Sequence, residues 1–181
     1  MNMIARNRGV SLVEVLVAVV IIAVGLLGVA KMQALAMAAT RGSSTRSLIS
    51  IEAASLASAM HANRAYWNAV STTTTTFSAN VVNNVITAST DAALTAQNSD
   101  CTAGVCTKTA LAAFDLANWG AAINLVTPGS TGTVMCSGAP VACTITVSWT
   151  ENMVGMNANT QNVAAQQTQT LQYSLLVEPG A

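Results

Sequence analysis

Glu14 is the residue whose type and place ask for a chemical explanation. It stands five residues after Gly9, near the start of VSLVEVLVAVVIIAVGLLGVA, and the rest of that run carries no charge. A charged side chain deep in a bilayer costs roughly 2.5–3.5 kcal/mol on insertion scales, and a plain membrane anchor gains nothing from it. A carboxylate in such surroundings has one kind of chemistry to offer: it pairs with a cation supplied from elsewhere. The bland alternative is a carboxylate that snorkels to the membrane edge, which the short stem of Glu does poorly compared with Lys or Arg.

Other residues able to do chemistry are few. Cys101, Cys106, Cys136 and Cys143 all lie beyond the apolar run, and an even count in a translocated domain reads as disulfides. Four cysteines permit three pairings, of which the local pairs Cys101–Cys106 and Cys136–Cys143 are the simplest. A four-cysteine zinc site is the sharper alternative, but spacings of C-x4-C and C-x6-C match the usual C-x2-C pairs badly. His61 is the one histidine, so no His-based metal site can be completed, and it reads as a solvated helix-face residue. Asp115 and Glu151 would make an acid pair only if something fixed them together; without it they cap, bond locally or face solvent. Trp67, Trp119 and Trp149 read as core or subunit-contact residues. No Ser-His-Asp order, P-loop or G-x-G-x-x-G stands out, so neither catalysis nor a cofactor is expected.

Composition narrows the class. Only 8% of the 181 residues are charged, with seven basic and seven acidic side chains, against about 25% in ordinary soluble proteins. A net charge of zero argues against nucleic-acid binding, which needs a basic footprint. A polar but weakly charged surface tolerates burial against other subunits.

The apolar run must be positioned by a helix. Val15 to Ala30 is 16 uncharged residues, and Val10 to Ala30 is 21 with Glu14 inside; a span needs about 20. Arg6 and Arg8 precede it, while Lys31, Arg41 and Arg46 follow, and the short N-terminal side is read as cytoplasmic. A secretory signal peptide competes: basic n-region, apolar h-region and Ala34-Leu35-Ala36 as a cleavage site. Sixteen residues exceed the ~7–15 of an h-region, and Glu14 is out of place in one. Gly25 and Gly28 read either as a small-residue packing face or as ordinary membrane-helix glycines.

No proline or aromatic residue interrupts Val10–Asn63, and Ile49, Ala53, Leu56 and Met60 recur at helical spacing. A helix from about Ser11 to Arg64 is expected, roughly 80 Å long at 1.5 Å per residue, with Gly42-Ser43-Ser44 as a weak point. Its second half is amphipathic, with Arg46, Glu52 and His61 among the polar positions, and needs a packed domain on one side. Ser71–Thr76 reads as a loop, and residues 77–106 show no clear period. Lys108–Leu125 reads as a short helix with Leu111, Phe114 and Trp119 near its buried side, stopped by Pro128-Gly129. Ala142–Trp149 alternates, placing Cys143, Ile145, Val147 and Trp149 on one face. Thr133–Cys136 precedes it across Ser137-Gly138-Ala139-Pro140, and a Cys136–Cys143 bridge would staple that hairpin, worth about 2–3 kcal/mol at best. Gln167–Val177 alternates too, with Leu171, Tyr173, Leu175 and Val177 together, and Thr150–Gln166 is read as a long connecting loop. The expected fold class is α+β: a long N-terminal helix, transmembrane in its first half, packed on a small antiparallel sheet.

Arg8-Gly9-Val10-Ser11-Leu12-Val13-Glu14-Val15-Leu16-Val17-Ala18 resembles the class III signal of type IV pilins and pseudopilins. The variant SLVEVLVAVVIIAVGLLG is similar to the PilV-type minor pilins. Ala112–Trp119 and Ile145–Trp149 fit that group's pattern of an Asp…Trp helix followed by a strand ending in Trp. The strong similarity covers about residues 6–30. The resemblance implies a leader peptide at 1–9, a transmembrane segment at 10–30, the periplasmic half of the helix at 31–66 and a globular head at 67–181. It implies cleavage between Gly9 and Val10 by a prepilin peptidase and methylation of Val10, although the family usually places Phe there. It implies that Glu14, fifth after the cut, docks on the N-terminal amine of a neighbouring subunit.

The role implied by the resemblance is that of a minor pilin that helps to prime type IV pilus assembly and sits at the tip. Its partners would be other minor pilins, the major pilin, the assembly platform and a large tip adhesin. It would begin in the bacterial inner membrane as a single-pass protein with a periplasmic head. A minor pseudopilin of type II secretion shares the same signal. A secreted or anchored binding module with a conventional signal peptide is the alternative of a different class.

Overall fold

A computed structural model of the chain describes residues 11–71, 77–97, 99–152 and 168–180. The expected cleavage pair Gly9 and Val10, the leader, the threonine run at 72–76 and most of the expected loop at 150–166 lie outside the described residues. The chain divides into two compact units, Met1–Arg41 and Gly42–Ala181.

Helix α1 spans Leu12–Ala62, two residues inside the expected C-terminal limit at Arg64. It is free of proline and rich in Leu, Val, Ala and Ile. The Ser11 carbonyl opens it, accepting from the Glu14 N–H at 3.0 Å and the Val15 N–H at 3.3 Å. In the first unit its apolar side chains lie open, with Leu12 at 76%, Ile21 at 66% and Leu27 at 67% exposure. This helix is long and apolar enough to cross a membrane. Helical hydrogen bonding continues through Gly42-Ser43-Ser44, so the expected weak point does not break α1.

In the second unit, α1 buries Ile49, Ala53, Leu56 and Met60, the four residues whose spacing marked the inward stripe. There follow α2 (Arg64–Trp67), β1 (Phe77–Val82), β2 (Val85–Ser89), α3 (Ala92–Thr95), α4 (Lys108–Val126), β3 (Thr131–Ser137), β4 (Ala142–Asn152) and β5 (Thr168–Val177). The strands form one sheet in the order β2-β1-β3-β4-β5, antiparallel throughout. Phe77, Val81, Val134, Ile145, Val147 and Trp149 meet Leu56, Met60, Leu116 and Ile123 in a single core. The fold is thus α+β, a long apolar N-terminal helix packed against a small antiparallel sheet, as the sequence leads one to expect.

The β1–β2 hairpin corrects the reading of residues 77–106 as aperiodic. Phe77, Ala79 and Val81 alternate inward along β1, but Ala79 is too small to register as an apolar beat. The turn is tight, with Asn83 at φ 55°, a left-handed conformation that Asn tolerates better than most residues. Strand β4 runs on through Thr150-Glu151-Asn152, so these three residues are strand and not part of the expected loop. These residues are held by pairing with Thr168–Thr170 of β5.

Helix α4 is capped at Thr107, whose Oγ1 accepts from the Ala110 N–H at 3.2 Å. Its buried side is Ala112, Ala113, Leu116, Trp119, Gly120 and Ile123, whereas Leu111 and Phe114 sit half-buried on its flank. Trp119 is buried as expected, whereas Leu111 and Phe114 give way to Leu116, Ile123 and the small residues Ala112, Ala113 and Gly120. A Cβ on Gly120 would collide with the Asn83 carbonyl oxygen, and one on Gly132 of β3 would collide with the Trp119 ring.

Candidate functional site

Glu14 lies in the first turn of α1. The unpaired N–H groups and dipole of a helix N-terminus favour a carboxylate there. Its side chain is exposed, and among the described residues it has neither hydrogen bond nor ion pair. Gly25 and Gly28 lie further along the same unit, and nothing stands within 4 Å of where their Cβ atoms would be. The first unit therefore presents one open carboxylate at the head of an open apolar helix.

In the head, the four cysteines form two disulfides, Cys101–Cys106 and Cys136–Cys143, and no free cysteine remains. The first closes the small loop before α4. The second joins directly opposed residues of β3 and β4, both fully buried, and staples the hairpin whose connection includes Gly138 at φ +85°. With both pairs bonded, the sulfurs are not available as zinc ligands, and no cluster of three or more metal-ligating side chains occurs among the described residues.

Glu151 does not stay local. Its Oε2 accepts from Arg46 Nη2 of α1 at 3.1 Å, and its Oε1 accepts from the indole Nε1–H of Trp149 at 2.9 Å. Partial burial by itself would raise the carboxyl's pKa. The hydrogen bonds from Arg46 and Trp149, with the Arg46 charge, outweigh that and hold it below the ordinary range. Asp115, on α4, is half-buried, and desolvation pushes its pKa up. No hydrogen bond joins Asp115 and Glu151, so the structure makes no acid pair of them. Glu151 is thereby committed to holding Arg46 and Trp149.

The tryptophans are core residues of the head: Trp67 is 0%, Trp119 4% and Trp149 5% exposed. Trp67, Tyr66 and Phe77 pack edge-to-face, with ring centroids 5.1–6.5 Å apart. The Tyr66 hydroxyl donates to Asp91 Oδ2 at 2.8 Å. Burial first, then that bond and the neighbouring negative charge, keep the phenol protonated. Asn63, buried where α1 ends, donates from Nδ2 to the Lys108 carbonyl at 2.7 Å and so ties α1 to the start of α4. His61 is partly exposed on α1. Sequence reasoning missed the roles of Asn63, Asp91 and Arg46, because each partner lies on a distant element.

Residues 4–30 match the prokaryotic N-terminal methylation motif. No curated protein and no solved structure matches the chain. The motif implies processing by a prepilin peptidase and assembly with other pilins, and with the apolar helix it fits a single-pass inner-membrane anchor. It suggests a structural protein rather than an enzyme. A methylation motif leading into a long apolar helix, which continues into an α+β head, supports a type IV pilin-like protein.

Proposed function

We propose that the chain is a minor pilin of a type IV pilus, of the PilV-type group, that helps to prime assembly and resides at the tip. The observation that carries this reading is the methylation motif over residues 4–30 with Glu14 in the first turn of an otherwise uncharged helix. In this reading the peptidase cuts between Gly9 and Val10, and Val10 becomes the methylated N-terminus. Residues 10–30 hold the protein in the membrane, α1 continues on the periplasmic side as far as Ala62, and 67–181 form the bulk of the head.

Glu14 then docks on the N-terminal amine of an adjacent subunit. An opposite charge within a few ångströms favours the ionised carboxylate. A low-dielectric filament interior strengthens the attraction and leaves any unpaired partner costly. The burden of carrying a carboxylate in an apolar helix thereby becomes a preference for the assembled state. Other minor pilins, the major pilin, the assembly platform and a tip adhesin are the partners of this role.

N-terminal sequencing of the mature protein tests the reading. A start at Val10 is expected, and a start at Met37 overturns it in favour of a conventionally secreted or anchored module. Deleting the gene tests membership: fewer surface pili with secretion intact is the expected result. Loss of type II secretion with normal pili would make the chain a pseudopilin.

A further inference from the structure

Between the β1–β2 turn, α3 and α4 the head holds an open cavity of about 420 Å³, within the ~300–1,000 Å³ usual for small-ligand sites. Its walls are of two kinds. Phe114, half-buried on the flank of α4, and Val85, 56% exposed on β2, supply an apolar side. Asn84, Gln97, Ser99 and Asp100 supply a polar one. Among the described residues the side chains of Asn84, Gln97 and Ser99 make no hydrogen bond. Two amides and a hydroxyl, each able to donate and to accept, are therefore open to a ligand. Asp100 Oδ1 accepts from the Thr102 N–H at 2.9 Å and from its hydroxyl at 2.6 Å. Those bonds hold the carboxyl below its usual range and leave Oδ2 as a further acceptor. Among the described residues no other charged side chain lines the cavity.

The frame around these groups is fixed in advance. Asp91 caps α3, accepting the Ala93 N–H on Oδ1 at 3.0 Å, and it takes the Tyr66 hydroxyl on Oδ2, which ties α3 to the aromatic core. The Cys101–Cys106 bridge closes the loop that follows Asp100. A preformed cavity binds at less cost than one the ligand must order.

We infer that this cavity holds a neutral pyranose ring, one sugar unit of a polysaccharide. A pyranose has an apolar C–H face and a rim of hydroxyls. The face packs on Phe114 and Val85, and the hydroxyls exchange hydrogen bonds with Asn84, Gln97, Ser99 and Asp100. One negative charge without a cation disfavours phosphate, sulfate and uronic acids. A peptide strand would dock through its backbone, whereas the groups left unspent here are side-chain amides and a hydroxyl. The cavity lies in the head, and its assignment rests on neither Glu14 nor the N-terminal motif.

Equilibrium dialysis of the full-length protein, in a detergent without a sugar headgroup, against labelled trisaccharides reads the binding. The trisaccharide of N-acetylglucosamine stands for cell-wall glycan, and those of glucose, mannose and galactose stand for hexose polysaccharides. At least one of the four is expected to bind at millimolar concentration, and trigalacturonic acid is not. Phe114→Leu and Gln97→Ala are each expected to weaken binding roughly fivefold. Leu125→Ala, at an exposed position of α4 outside the cavity, is expected to leave it unchanged. Intact disulfides by mass and unchanged tryptophan emission show that the variants are folded. Binding of none of the four, equal binding of trigalacturonic acid, or binding that survives both substitutions overturns the inference. So does a photo-crosslinking residue at Thr95 that captures another protein in the native membrane, which makes the cavity a subunit contact.

Discussion

Arg46 and Glu151, 105 residues apart in sequence, meet with Nη2 3.1 Å from Oε2, so the far end of β4 is fastened to α1 within the head. The other carboxylate oxygen holds the indole of Trp149, a side chain only 5% exposed. The two halves of the contact differ in worth. Arg46 is 60% exposed, and such ion pairs contribute about 0.2–1 kcal/mol. A buried indole N–H stripped of its acceptor costs about 1–3 kcal/mol.

Glu151→Gln keeps an acceptor for Trp149 and loses the charge, so it should destabilise the head by less than about 1 kcal/mol. Glu151→Ala should cost distinctly more, because Trp149 is left unpaired. Because the folded carboxyl titrates below its ordinary value of 4.5, its contribution is full above that pH and fades as pH falls through the lower folded value. Denaturation between pH 7 and pH 3 should show this acid loss in the native chain and a reduced one in Glu151→Gln. Equal acid sensitivity in both would refute the assignment.

Gly120→Ala and Gly132→Ala should each destabilise the head by roughly 1–3 kcal/mol, the usual range for forcing a methyl into filled space. The Gly120 methyl meets a backbone carbonyl, which yields little, and the Gly132 methyl meets the Trp119 indole. Tryptophan fluorescence followed through urea unfolding reports the cost, and Gly132→Ala should also shift the native emission. Gly28→Ala, with open space around it, should leave head stability unchanged.

Cys136→Ser with Cys143→Ser should cost at least about 2 kcal/mol, the loop-closure contribution of so short a bridge. Polar hydroxyls at two fully buried positions add to that cost. Replacing Cys101 and Cys106 in the same way should cost less than the buried pair. Their loop is similarly short, but both residues are more accessible than Cys136 and Cys143. Unfolding midpoints of the two double variants, measured side by side, decide the order.

Glu14→Ala should leave membrane insertion intact or improved while impairing incorporation into filaments, because the lost cost belongs to insertion and the lost gain to docking. Fractionation measures the first, and recovery in sheared filaments the second. Normal recovery would remove Glu14 from the docking role.

How much of the fold and site was legible in the sequence varied with the kind of contact. Ile49, Ala53, Leu56 and Met60 announced the buried stripe of α1, and Cys143, Ile145, Val147 and Trp149 announced the inner face of β4, because each row repeats with its element's own period. Strand β1 was hidden, since its middle inward residue is Ala79 and its pattern ends in adjacent valines. The inward side of α4 was read correctly at Trp119 but not at Leu111 and Phe114, for a related reason. Size suggested Leu111 and Phe114, but close approach to the sheet selected alanine and Gly120. Partners such as Arg46 for Glu151 and Lys108 for Asn63 were beyond reach, because no local pattern encodes a meeting of two distant elements. For Glu14 the type and spacing could be read directly, while the partner proposed for it lies in another molecule.

The two disulfides have a consequence for how the head is made. They link residues five and seven positions apart, and short loops close faster and with less entropy loss than long ones. For every thiol in the chain, the nearest other thiol in sequence is its native partner. Each native bond is therefore the shortest loop open to its cysteines, and neither bond has to wait for the other. The bonds that close fastest in this chain are thus also the native ones.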